Sequence, residues 1–448
     1  MVSVISFKNI NKLAVPAIIS GIAEPILSAT DTAVVGNIPI NGTESLAAVG
    51  IVGTFLSMLI WILAQTRSAI SAIISQYLGA GKLDEVKTLP AQAIVFNIGL
   101  SILVLLTTVP FIEEIFTLLK AEGEVLKYCI SYYSIRVWGF PLSLFVFAIF
   151  GIFRGLQNTF WPMIVALIGV AMNIILDFAL VYGIKDFIPP MHLEGAAWAS
   201  LFSQIVMAVL SLILVLKKTD VSLRLKKPWH PEMNRFLIMS GNLFIRSLAL
   251  NATLILAVRE ATSLGTKYVA AHTIAMQLWL FFAFFIDGYG SAGNILGGKL
   301  LGAKDYKALV VMAKKVNLYG IVVASILGGF ALLTPEMLGL IFTKDQEVLS
   351  IFNDFFYLVV IMLPINALAF VGDGIFKGLG ETGFLRNVLL GSTILGFIPT
   401  LIIAMHYDLK IHGIWIAITV WMLIRGLSLV VKFKNKYLRL ASVQKGVV

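Results

Sequence analysis

Nine ionisable side chains stand inside otherwise apolar stretches of this 448-residue chain: Glu24, Asp31, Arg67, Arg136, Asp177, Arg246, Asp287, Asp373 and Arg425. An ionisable group inside a bilayer costs about 2.5–3.5 kcal/mol on insertion scales, so each needs a reason. Glu24, Ser28 and Asp31 are spaced i, i+4, i+7, which lines them along one face of a helix. Asn173 and Asp177 are spaced i, i+4 and share a face of another helix. Asp31 and Asp177 are both expected in the outer half of the membrane, where one concave site could hold them. Carboxylates gathered away from water do not all stay ionised, so such a cluster can take up and release a proton. With Asn and Ser oxygens it could instead hold a hard cation such as Na⁺. It would also attract a cationic solute. The structural alternative is an acid neutralised by Arg67, Arg136 or Arg246. Asp287 and Asp373 are expected toward the cytoplasmic half, paired with Arg67 and Arg246 as a gate or a fold constraint.

The elements that must carry these residues are membrane helices. The chain is 59% hydrophobic and only 13% charged, where a soluble domain is nearer one quarter charged. An outer surface this apolar needs lipid as its solvent. Apolar runs fall near 11–36, 46–79, 90–111, 127–151, 158–183, 194–216, 236–261, 266–299, 311–333, 349–374, 384–406 and 411–431, which predicts about twelve transmembrane helices. The first run lacks a signal-peptide pattern and is expected to be retained. It carries Pro16 and Pro25, and a mid-helix proline loses a backbone bond, so this helix is expected to bend. Basic residues concentrate in the even loops and at the termini. By the positive-inside rule both termini are expected to be cytoplasmic, in a multi-pass inner-membrane protein. The net charge of +10 is therefore a topology signal, and no nucleic-acid partner is expected. The long basic loop from Lys217 to Arg235 reads as a linker, which gives lobes at 1–218 and 235–448 joined by 219–234.

The halves repeat. Pro141 to Thr159 aligns without a gap on Pro364 to Thr382, sharing the proline, a Gly-Ile-Phe run and a following Gly-Leu. The same offset of 223 carries Leu78-Gly79-Ala80 onto Leu301-Gly302-Ala303. A duplicated six-span unit with unchanged orientation gives an all-α fold of two six-helix bundles related by a parallel internal repeat, an architecture used by transporters. The repeated glycines, Gly151 and Gly155 among them, read as close helix contacts. The acids do not repeat: Glu24, Asp31, Asp177, Asp287 and Asp373 fall on Ser247, Leu254, Thr400, Ala64 and Phe150. The scaffold is duplicated and the charges are not, so the two lobes are expected to do different jobs.

These residues resemble the multidrug and toxic compound extrusion (MATE) family, in its DinF-like branch. Pro16 followed by Asp31-Thr-Ala-Val-Val-Gly36, Arg67 followed by Gln76-Tyr-Leu-Gly-Ala80, Gly151-Ile-Phe-Arg-Gly-Leu-Gln157, Asn173-Ile-Ile-Leu-Asp177 and Gly195-Ala-Ala-Trp-Ala-Ser200 carry the likeness in the first half. Arg246-Ser-Leu, Asp287-Gly and Asp373-Gly-Ile-Phe carry it in the second. The resemblance implies an antiporter that expels lipophilic, often cationic compounds while H⁺ or Na⁺ enters, with H⁺ favoured. It implies a cation site at Asp31, Asn173 and Asp177 with Ser200 nearby, to which the spacing along the first helix adds Glu24, and no cofactor is expected beyond the coupling ion. It also implies two helical bundles that rock between inward- and outward-open states. Two residues depart from the pattern. Glu24 stands where the family more often has a neutral amide, and Asn294 where the branch often has Glu.

The expected partners are small lipophilic cations and membrane lipids, and the chain is expected to be a monomer. The alternative reading is a flippase for a lipid-linked precursor, which calls for a large cation-lined groove and often two extra spans. No enzyme is expected. Paired Asp-rich motifs, His-Glu-x-x-His and Gly-x-Ser-x-Gly are missing from the sequence, and His192, His230, His272, His406 and His412 lack metal-ligand spacing. A single cysteine, Cys129, rules out a disulfide framework.

Overall fold

The computed structural model describes residues 5–38, 41–185 and 187–444, apart from the side chain of Glu24. The first half runs as α1 (Phe7–Gly36), α2 (Gly42–Leu63), α3 (Thr66–Gly79), α4 (Leu89–Thr108), α5 (Ile112–Leu118), α6 (Gly123–Arg136), α7 (Gly139–Gly155), α8 (Phe160–Val181) and α9 (His192–Lys218). The second half runs as α10 (Glu232–Ser263), α11 (Thr266–Gly302), α12 (Tyr306–Leu333), α13 (Pro335–Leu340), α14 (Gln346–Ile361), α15 (Leu363–Gly378), α16 (Thr382–Ser392), α17 (Ile398–His406), α18 (Lys410–Phe433) and α19 (Arg439–Val443). Among the described residues there is no β-strand. Ten helical runs are long and apolar enough to cross a membrane, and two bent helix pairs raise the number to as many as twelve. The chain is a polytopic all-α membrane protein.

The bent pairs are α6 with α7, at 47°, and α14 with α15, at 49°. The sequence reads 127–151 and 349–374 as single runs; each is broken, at equivalent positions of the repeat. The cause is Pro141 and Pro364, which stand in the first turns of α7 and α15. A proline ring clashes with the carbonyl four residues back and has no N–H. In a helix's first turn that N–H has no intrahelical partner to lose. The long run at 46–79 is likewise divided, by a turn at Ala64 and Gln65 between α2 and α3.

The repeated glycines serve backbone contact. A Cβ on Gly151 would stand 2.7 Å from the Arg67 carbonyl oxygen, and one on Gly155 2.6 Å from Ile74 Cβ, so α7 lies directly on α3. One offset later, a Cβ on Gly374 would strike the Gly290 carbonyl and one on Gly378 the Asn294 carbonyl, so α15 lies on α11 in the same way. Residues 290 and 294 are the repeat equivalents of 67 and 71.

The chain divides into two compact units. One comprises Met1–Ile18, Ser75–Lys82 and Ile238–Val448, here the second-half unit; the other comprises Ile19–Ile74 and Leu83–Leu237, the first-half unit. The units differ from the sequence lobes at two places, because the start of α1 and the end of α3 pack with the second half. Ile10, Leu13 and Ala14 join its apolar core with Phe282, Ile286 and Trp415. Phe7 meets Tyr319 edge to face at 5.1 Å. Tyr289 Oη donates to Asn11 Oδ1 at 2.9 Å, and Gln76 Nε2 donates to the Gly378 carbonyl at 2.7 Å. Gly79 and Gly302 let the ends of α3 and α11 cross; a Cβ on either would strike the other helix's backbone, at Lys299 and Gln76. In the first-half unit, the 219–234 segment is tied to α4: Gln92 Nε2 donates to the Lys226 carbonyl at 2.9 Å, and Gln92 Oε1 accepts from His230 N at 2.8 Å.

Candidate functional site

Asp31 of α1, Asn173 and Asp177 of α8 and Ser200 of α9 meet inside the first-half unit, and all four are buried. The i, i+4 spacing on α8 presents Asn173 and Asp177 to the same point. The end of α1 is held to α8 by Tyr182 Oη, just past its C-terminus, which donates to the Val34 carbonyl at 2.8 Å.

The hydrogen bonding is specific. With its amide turned to satisfy its neighbours, Asn173 Nδ2 donates to Asp31 Oδ1 at 3.0 Å and to Asp177 Oδ2 at 3.2 Å. The Ser200 hydroxyl has one proton and two acceptors in reach, Asp31 Oδ2 at 3.3 Å and the Asn173 amide oxygen at 3.2 Å. The two carboxyls are neighbours, both within reach of the one Asn173 amide. Asp177 Oδ1, buried, has no hydrogen-bond partner. The group therefore brings two acids to one amide and keeps one acceptor open.

Of the three arginines considered as neutralising partners, Arg136 of α6 lies near this pair. It makes no ion pair with either carboxyl among the described residues; its guanidinium lies over the Tyr132 ring, 5.8 Å from the centroid. Tyr132 is buried beside the same two acids. The sequence reading missed Tyr132, for which the i, i+4 step to Arg136 is the only local signal. Arg67 faces Phe147, 5.5 Å from the ring centroid. Ser28 is exposed and outside the group, although it lies near Asp31 on the helical wheel. Glu24 lies on α1, and its side chain is outside the described residues. Pro16 and Pro25 are both inside α1, which is helical throughout.

The second-half unit holds a different constellation. Asp373 Oδ1 pairs with Arg246 Nη2 at 2.6 Å and Oδ2 with Lys377 Nζ at 2.9 Å. The expected partnership of Asp373 with Arg246 is present. Asp287, by contrast, is exposed. Asn294 is buried on α11 against α15. No group of three or more His, Cys, Asp or Glu side chains suited to a metal ion occurs among the described residues.

The fold is that of an all-α, many-spanning membrane protein with a buried carboxyl pair in one helical unit. The MatE family profile matches residues 16–179 and 243–402, and the chain belongs to the MatE family. It is 27% identical over 428 residues to DNA damage-inducible protein F of Escherichia coli, covering 95% of this chain and 91% of that one. It is 24% identical over 336 residues to the multidrug export protein MepA of Staphylococcus aureus, covering 74% of this chain and 72% of that one. In fold it is similar to the Vibrio cholerae MATE transporter VcmN in the bent form, with a TM-score of 0.89 at 18% identity over 98% of both chains.

Proposed function

We propose that the protein is a cation-coupled antiporter that exports lipophilic, often cationic compounds by alternating access, with H⁺ as the coupling ion in preference to Na⁺. The observation that carries this reading is the buried Asp31–Asp177 pair joined through Asn173. Two neighbouring acids can accept a proton from outside and give it up inside. Deprotonated, they favour a cationic solute; protonated, they release it. With its N–H groups turned to both carboxyls, the orientation that satisfies its neighbours, Asn173 supports a site that exchanges a proton. Export of drugs is the activity in the name of MepA, which supports the substrate class. Pro16 and Pro25 each remove one backbone bond from α1 and give it a place to bend during the cycle. A ligand drives such a cycle only through unequal affinity for its two states, and protonation of the pair supplies that inequality. The setting is the bacterial cytoplasmic membrane with both termini inside, and the working unit is a monomer in lipid.

Efflux from proteoliposomes driven by a pH gradient alone, then by a Na⁺ gradient alone, tests this. The pH gradient is expected to drive export, and Asp31→Asn is expected to abolish it. Gradient-driven export at the wild-type rate in Asp31→Asn would sink the proposal.

A further inference from the structure

The second-half unit buries more positive charge than the carboxyl pair of the other unit explains. Arg246, Asp373 and Arg425 are buried, and Lys377 closes on them. Asp373 has both oxygens engaged, one by Arg246 and one by Lys377. Three cations thus meet one carboxylate. Glu381 is occupied elsewhere, accepting from Lys436 and Tyr437, and Asp287 is exposed.

Arg425 is the cation left over. One of its N–H groups meets Met422 Sδ at 3.0 Å, and it has no other hydrogen-bond partner among the described residues. Its guanidinium lies over Trp421, 4.9 Å from the ring centroid, and over Phe370 at 5.9 Å. A thioether is a weak acceptor, and a buried cation without a bonded counter-charge is costly. A second, neutral group points the same way. Asn366 is fully buried, and neither its amide oxygen nor its nitrogen has a partner. Asn366, Phe370 and Asp373 are spaced i, i+4, i+7 on α15 and share a face. Opposite them, a Cβ on Gly426 would stand 3.3 Å from Leu368 Cβ and 3.8 Å from the Ile365 carbonyl oxygen. The level of Asn366 on α15 is therefore packed against the level of Arg425 on α18.

We propose that Arg425, with the Asn366 amide, forms a binding centre for one oxyanion, a carboxylate or a phosphate group, inside the second-half unit. A guanidinium presents a planar fork that matches such a group, and the two aromatic faces hold that plane and keep water away. The group can come from a free solute or from the head group of a phospholipid. This centre is separate from the carboxyl pair and does not depend on the coupling mechanism.

The test uses the full-length purified protein at constant ionic strength. In detergent, inorganic phosphate is titrated against thermal unfolding; in nanodiscs, phosphatidylglycerol is compared with phosphatidylcholine alone. The wild type is expected to show saturable stabilisation by at least one probe. Arg425→Met is expected to weaken that affinity tenfold or more, with Arg425→Lys weakened less. Should Arg425→Met fail to fold, Asn366→Leu is expected to weaken it as well. A response to phosphate assigns a free solute, and a response to phosphatidylglycerol alone assigns the lipid head group. No saturable response to either probe in the wild type, or an unchanged response in every variant that folds, overturns the proposal.

Discussion

Replacing Gly378 by alanine asks whether helix contact through bare backbone holds the second-half unit together. The added Cβ would overlap the Asn294 carbonyl oxygen and stand 2.8 Å from Asn294 C and Cα. Carbon atoms rest at about 3.5–4.0 Å, so α15 and α11 must part by roughly 1 Å at that level. The obstructing atoms are main chain and cannot rotate away. The cost belongs at the upper end of the overpacking range, about 3 kcal/mol. The repeat supplies its own comparison. At Gly155 the new Cβ meets Ile74 Cβ at 2.6 Å and Cγ2 at 2.9 Å, a side chain that can yield in part, so Gly155→Ala is expected to cost about 1–2 kcal/mol. A Cβ added to Gly99 in α4 would meet nothing within 4 Å, and Gly99→Ala is expected to gain about 0.5–1 kcal/mol of helix stability. Unfolding in detergent, followed by tryptophan fluorescence, should rank the three in that order. A Gly378→Ala protein as stable as Gly99→Ala would refute the reasoning.

Three further outcomes follow from the polar groups. Asp31→Asn should melt within about 1 kcal/mol of wild type, because its amide keeps an oxygen to accept from Asn173 or Ser200, whereas Asp31→Leu removes both acceptors and costs about 1–3 kcal/mol; equal melting of the two would refute this. Asp373→Asn takes the carboxylate away from Arg246 and Lys377 and should cost about 3–5 kcal/mol by chemical denaturation, only part of it recovered in Arg246→Met with Asp373→Leu, which still leaves Lys377 without its partner. Glu381 lies between α15 and α16, outside the spans, where burial pushes its carboxyl up but hydrogen bonds from Lys436 and Tyr437 outweigh that and hold it below its usual 4.5. A carboxyl lowered in the folded state stabilises the fold above its unfolded value, and that contribution is lost as pH falls through the folded one. Glu381→Gln should therefore melt below wild type at neutral pH, by about 1–2 kcal/mol, and the gap should close below pH 4.5.

The repeat was legible in the sequence because its glycines answer to backbone contact, which tolerates no substitute, so both halves retain them at one offset. The Asn173–Asp177 step was legible because i, i+4 on a helix always faces one neighbour. Ser28 shows the limit of that logic. It stands about one turn from Asp31, yet the site occupies a narrow arc of α1 and leaves Ser28 outside. The breaks before Pro141 and Pro364 were written in the prolines but hidden by unbroken apolarity on either side. Arg425 stands alone because α15 and α18 meet at one level, and that meeting has no local signature. The division of α1 at Ile18 was invisible for a deeper reason. Lipid and protein interior are equally apolar, so hydropathy cannot say which neighbour a membrane helix will choose.

That division has a consequence for how the chain is made. Met1–Ile18 and Ser75–Lys82 belong to the unit whose remainder begins at Ile238. These early residues are thus covered by residues synthesised hundreds of positions later. Ala14 and Ile18, which pack against Gly288, must wait in lipid until α11 arrives. A chain severed between residues 218 and 235 yields two fragments, neither of which contains a whole unit. The fragment beginning at residue 235 would lack its own Tyr289–Asn11 bond and the Gln76 bond to Gly378. Co-expressed halves can complete one another only by trading these two segments, so the gene's duplication boundary and the protein's assembly boundary are different places.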